Sequence, residues 1–243
     1  MTQRSKRTAL EAVAEELGRA RARGRFPTDA SVRFAGKRIA LTVVASSHQA
    51  AQARRSIKPR LRLDRVALEF VSRVRAALQG QVADDRTIVV TLTAPIRLAS
   101  KTAAALASRI LSRVPGRATA GRSMHRIHGN RIQIWMLQGG SRMTSKLVGF
   151  VHNPDADPRI LVEVTRALLA GMGPQRRAPA RRCGARWLLI ENQDDLLPID
   201  TYRNVCQQLR LGTAFERLLV TLPDGRIERL SPNVTLRSDS IPQ

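Results

Sequence analysis

The order of apolar and polar positions along the chain predicts alternating helices and short strands. Thr8 and Glu11 form a capping box, and Leu10, Val13 and Leu17 follow at helical spacing, so a first helix runs from about Thr8 into the Arg19–Arg25 stretch. Val32 and Phe34, then Ile39, Leu41 and Val43, alternate on either side of Gly36, which is the pattern of a β-hairpin. Residues 46–62 are polar and basic and are broken by Pro59. Asp64 then caps a helix whose Val66, Phe70, Val71, Val74 and Leu78 form one face, ending at Gly80. Thr87–Leu92 is β-branched and reads as a strand, halted by Pro95. A helix opens at Ser100 and buries Leu106, Ile110 and Val114.

Three short strands follow. Ser123–His128 and Arg131–Leu137 are joined by a turn at Gly129-Asn130, and Lys146–Val151 comes after the Gly139-Gly140 loop. Asp157-Pro158 opens a helix through Leu161, Val164, Leu168 and Met172. After a connector rich in Pro and Arg over 173–186 come a strand at Trp187–Glu191, a helix at Asp200–Leu209 capped by Asp200, and a hairpin of Phe215–Leu222 with Arg226–Leu230. The expected fold is α/β, a mixed sheet with flanking helices. Residues 1–30 form a basic N-terminal helix or arm and 31–230 a single α/β domain, with a sub-boundary available at 173–186; 231–243 is a tail. From Ser100 onward, the order helix, three strands, helix, strand resembles the core of restriction-endonuclease-like nucleases, by topology and with no residue motif behind it. That resemblance implies carboxylates on the second and third strands. Here those strands read Arg-Ile-Gln-Ile-Trp-Met-Leu and Lys-Leu-Val-Gly-Phe-Val, so such a core would lack its catalytic acids.

Charge changes the picture more than any motif. The 243 residues carry 42 Lys and Arg against 19 Asp and Glu, a net +23. Residues 1–63 contribute +11, 64–150 contribute +10, and 151–243 only +2. No carboxylate occurs between Asp29 and Asp64 or between Asp85 and Asp155. An arginine-rich composition alone would not clear acids from two long stretches, and a surface so charged repels itself unless a polyanion neutralises it. The expected partner is therefore nucleic acid, with duplex DNA favoured. The eight aromatic residues do not interleave with the basic runs, which disfavours base-stacking on single strands. The near-neutral C-terminal third is the expected surface for a protein partner. Two cysteines do not make a disulfide scaffold, and the acidic Glu11, Glu15 and Glu16 do not suit a transit peptide, so a cytoplasmic protein without a membrane span is expected.

The residues expected to meet phosphates are Arg54, Arg55, Lys58, Arg60 and Arg62 around Pro59, Arg97 and Lys101 at a strand-to-helix junction, and Arg126 and Arg131 on the central strands. Residues 95–102 occupy the place of a nucleotide-binding loop, but Pro95 and Ser100 stand where such a loop requires glycine. His125, His128 and His152 have no Cys or carboxylate company at zinc spacing, so no metal or other cofactor is expected. The reading is a non-enzymatic protein gripping the phosphate backbone largely without sequence readout. The alternatives are a nuclease-like enzyme assembling Glu69, Asp155 and Glu191 from distant positions, with Pro154-Asp155 and Glu191-Asn192-Gln193 as a degenerate motif, or a basic scaffold subunit of a protein assembly.

Overall fold

A computed structural model describes residues 13–15, 29–34, 37–45, 59–113, 121–139, 144–172, 185–192, 197–222 and 224–230. These residues form two mixed sheets with flanking helices, which is the expected α/β class with its strands divided between two sheets. The first sheet comprises β1 (Asp29–Phe34), β2 (Lys37–Ala45), β7 (Ala185–Glu191), β8 (Arg217–Thr221) and β9 (Ile227–Arg229), in that spatial order. Its β2, β7 and β8 are parallel, and each edge is closed by an antiparallel hairpin. The second sheet has the order β4 (Arg122–Ile127), β5 (Asn130–Gln138), β3 (Arg86–Thr93), β6 (Leu147–His152). Here β4, β5 and β3 are successively antiparallel, and β3 runs parallel to β6.

Helices α1 (Arg65–Ala77) and α2 (Ala99–Leu111) cover one face of the second sheet. Their Phe70, Val74, Leu78, Leu106 and Ile110 meet Ile88, Val90, Leu92, Ile132 and Ile134 in one apolar cluster. At Gly149 of β6 a Cβ would stand 2.7 Å from Val71, so glycine is what lets α1 lie this close to the strand. Helices α3 (Arg159–Gly171) and α4 (Ile199–Gln208) lie in a second cluster that takes side chains from both sheets: Val89, Val148 and Phe150 from one, Val44, Leu188, Ile190 and Val220 from the other. α3 buries residues around most of its circumference, as a helix enclosed between two sheets must. The outer face of the first sheet packs Ile39, Leu41, Trp187 and Leu219 with Val13, one of three helical residues at 13–15.

Several local expectations shift by a residue or a role. The β4–β5 turn is His128-Gly129, both with positive φ, and Asn130 is already the first residue of β5. Asn130 is buried because its side chain works elsewhere: it accepts from the Arg97 amide at 2.8 Å and donates to the Arg97 carbonyl, the Thr102 hydroxyl and the Ile127 carbonyl. Those bonds hold the 97–102 junction, so α2 begins after Leu98 in the left-handed region and Ser100 does not cap it. Asp64 does cap α1, accepting from the Ala67 amide at 3.0 Å. Asp157 accepts from the Arg159 amide at the start of α3. Asp200 lies inside the first turn of α4 and pairs with Arg203 at 2.7 Å. Val66, expected on the buried face of α1, is 52% exposed.

The nuclease-like order is not supported by the arrangement of strands. The β4–β5 hairpin is present, but β3 separates β5 from β6, and β7 belongs to the other sheet. Most of the basic arm, residues 173–184 of the connector, and the tail from 231 lie outside the described residues. No described helix is long and apolar enough to cross a membrane.

Candidate nucleic-acid interface

Among the described residues, the face of the second sheet away from α1 and α2 is chemically distinctive. Strand alternation and pairing register place Arg122, Met124 and Arg126 of β4, Arg131, Gln133 and Trp135 of β5, Thr91 and Thr93 of β3, and Phe150 and His152 of β6 on that one face. Near α3 and α4 it is apolar and closed, with Val89, Val148 and Phe150 in the core and Trp135 packed against it. Toward β4 and the far ends of β3 and β6 it becomes polar and opens. Arg122, Arg126 and Arg131 are exposed there, and among the described residues no carboxylate pairs with any of them. Arg122 lies over the Trp135 ring at 5.0 Å, a stacking contact that holds its guanidinium against the sheet.

This open end contains a pocket of about 350 Å³ lined by Thr93, Arg122, Arg131, Gln133, His152, Asp157 and Arg159, and walled by the turn at Pro154–Pro158. His152 is 1% exposed; its Nδ1 lies 2.7 Å from the Asn153 carbonyl and donates to it, which leaves Nε2 as an acceptor. Burial holds the imidazole below its usual pKa, and nearby Arg131 adds to this, while the Asn153 carbonyl and Asp157 oppose it. Gln133 is 8% exposed and has no hydrogen-bond partner, its Oε1 fully enclosed; Thr91 Oγ1, on the residue paired with it across the strands, is likewise unpartnered. Arg159 is held by Asp157, with contacts of 2.7 and 2.6 Å from Nε and the terminal guanidinium nitrogen.

Of the residues expected from sequence, Arg126 and Arg131 stand side by side as cross-strand partners on this face. Arg97 joins their end of the hairpin, its guanidinium lying over Gly129, although its backbone amide is already committed to Asn130. Lys101 is exposed on α2. Arg60 and Arg62 lie at the opposite edge of the sheet, where the Arg62 amide donates to the Val151 carbonyl and the Asn153 amide to the Arg60 carbonyl. Arg62 is paired with Asp64 at 3.0 Å. Arg54, Arg55 and Lys58 lie outside the described residues. Arg122, Gln133, His152 and Arg159 complete the pocket and were not singled out as binding residues. For Arg122 and Gln133 the only signal was polar residues at every second position of β4 and β5, which an alternating strand also shows at an ordinary wet face; His152 and Arg159 come from β6 and the start of α3.

On the other face of β4, His125 contacts Ser123 at 3.0 Å, and burial with the charges of Arg113 and Arg109 depresses its pKa. His125 and His152 point to opposite faces of the sheet. Among the described residues there is no group of three His, Cys, Asp or Glu side chains placed to hold a metal ion. Glu69 is ion-paired with Arg65 on α1, Asp155 sits in the turn after β6, and Glu191 is buried at the end of β7 in the other sheet. No family model, curated protein or solved structure matches the chain.

Proposed function

We propose that the protein is a non-enzymatic nucleic-acid-binding protein that grips backbone phosphates of duplex DNA through the open face of its second sheet. The observation that carries this reading is the trio Arg122, Arg126 and Arg131, exposed on one face with no carboxylate paired to them among the described residues. A guanidinium left without a protein anion keeps all of its donors for a phosphate, and its planar fork fits two phosphate oxygens at once. Arg97 stands beside the hairpin turn, its guanidinium close to Gly129. Of the aromatic side chains on this face, Trp135 is half-buried under Arg122 and Phe150 is enclosed in the core, so neither is free to stack on a base, in keeping with contacts to backbone more than to bases.

Fluorescence anisotropy with a labelled duplex over a series of salt concentrations tests the reading. Affinity falls steeply with salt, with a slope near 0.9 per phosphate contact, so about six contacts lose about a thousandfold between low and moderate salt. The Arg126→Ala/Arg131→Ala double variant binds more weakly and with a shallower slope. A flat salt response, or no binding at low salt, refutes the proposal. Plasmid incubated with Mg²⁺ or Mn²⁺ remains intact; nicking that disappears in Asp155→Ala or Glu191→Ala would establish the enzymatic alternative.

A further inference from the structure

The pocket beside the arginine strip has features that a flat phosphate-binding surface does not need. It is concave, it gathers the donors of Arg122, Arg131, Arg159, Gln133 and Thr93 beside a wall of Pro154, Ala156, Asp157 and Pro158, and its floor includes a buried glutamine whose side chain has no partner among the described residues. The enclosed, unpartnered atom is the acceptor Oε1, which a phosphate cannot satisfy, so what Gln133 offers an anion is the pair of donors on its Nε2. The lining carries three guanidinium charges, from Arg122, Arg131 and Arg159, and one carboxylate, Asp157, a net +2. A phosphodiester in a continuous strand bears one negative charge and is flanked by sugars on both sides. A phosphomonoester bears close to two at neutral pH and has three terminal oxygens. The charge of the lining and its wall at Pro154–Pro158 both suit the second better than the first.

We infer that this pocket is a phosphomonoester site, taking the terminal phosphate of a nucleic-acid strand or of a free nucleotide. Arg122, fixed over Trp135, and Arg131 approach from the sheet. Arg159 approaches from the first residue of α3 and exchanges part of its pairing with Asp157 for the ligand. The Gln133 amide and the Thr93 hydroxyl supply neutral donors on the floor. His152, uncharged at neutral pH, offers Nε2 as an acceptor, which suits a ligand that also carries a hydroxyl. The strand-end form of this inference rests on the proposed nucleic-acid binding, whereas the free-nucleotide form stands without it.

The experiment compares one duplex prepared with a 5′-phosphate, a 3′-phosphate or hydroxyl ends, and adds a free nucleoside monophosphate as competitor and, separately, as sole ligand in calorimetry. A phosphorylated end binds on the order of tenfold more tightly than the hydroxyl end, the size of one added charge-assisted contact, and the nucleoside monophosphate removes that preference. The ratio of the two affinities falls toward one in Gln133→Leu and in Arg159→Gln; Arg159 is on the surface, so its variant tests the site even if a change at buried Gln133 disturbs folding. Calorimetric binding of the free nucleotide with no binding of any duplex would keep the pocket and refute the nucleic-acid reading. Equal affinity for phosphorylated and hydroxyl ends, together with no binding of the free nucleotide, overturns the pocket assignment, whatever the salt dependence of duplex binding shows.

Discussion

The two faces of the second sheet are built from the same strands and have opposite chemistry. On β5, Ile132 and Ile134 point to α1 and α2 and are enclosed, while Arg131, Gln133 and Trp135, the residues between and beside them, point the other way. The first face is specified by apolar area and close fit. The second is specified for only half its length, where Val89, Val148 and Phe150 join the core; beyond that it holds unpartnered polar atoms and uncompensated arginines. A strand's two-residue period lets one segment carry a core and a site without either disturbing the other. The contrast implies that substitutions on the helix-covered face act on stability, and substitutions on the open face act on ligand affinity.

The strongest test of that division is Ile132→Ala, at a side chain with no exposed surface amid the α1–α2 cluster. Loss of transfer energy together with the cavity left behind destabilises the fold by about 3 kcal/mol, read from chemical denaturation. Gly149→Ala acts by the reverse means. Its new methyl group meets Val71 at 2.7 Å, and the shift needed to relieve it costs about 2 kcal/mol. A wild-type midpoint in either variant would mean that this face is less tightly packed than the structure indicates.

Gln208→Ala is a smaller test, at the sheet's edge. The Gln208 side chain accepts from the Gly149 amide and donates to the Gly149 carbonyl, both at 2.9 Å, so it completes the outer edge of β6 as a neighbouring strand would. It also accepts from Arg75 at 2.9 Å. Its removal costs about 1 kcal/mol through unpaired groups. On the open face, Gln133→Leu changes stability by less than about 1 kcal/mol in either direction, because it replaces an amide that has no partner to lose. A loss of several kcal/mol there would show Gln133 to be part of the fold and not of a site.

Sequence patterning placed nearly all the described elements, because each depends on local alternation or helical spacing. It did not separate them into two sheets. That depends on β3 inserting between β5 and β6 and on β7 pairing with β2, which are pairings between segments far apart in the chain. The site was half legible for the same reason. Arg126 and Arg131 share a hairpin and could be read as neighbours, whereas Arg122, Gln133, His152 and Arg159 are drawn together by three strands and a helix start. Asp200 and Ser100 show the limit of capping rules: Asp200 is taken into the helix and pairs with Arg203, and at Ser100 the junction is held instead by buried Asn130.

The smallest predicted effect is also the most local. His152 is enclosed at the end of β6, and burial favours its neutral form, with Arg131 contributing in the same direction and the Asn153 carbonyl and Asp157 opposing. Its folded pKa therefore lies below the unfolded value, so between the two the unfolded chain binds a proton that the folded protein does not. Stability from this residue is fully present above the ordinary histidine pKa and declines as pH falls through it toward the folded value. Between pH 7 and pH 6 one such residue can remove at most about 0.7 kcal/mol. Denaturation at the two pH values, in the wild type and in His152→Gln, isolates it from other histidines such as His125. The wild type loses more stability than the variant over that interval. Equal losses would show that His152 gains or sheds its proton as freely folded as unfolded, and that the pocket floor is as wet as the strip of arginines outside it.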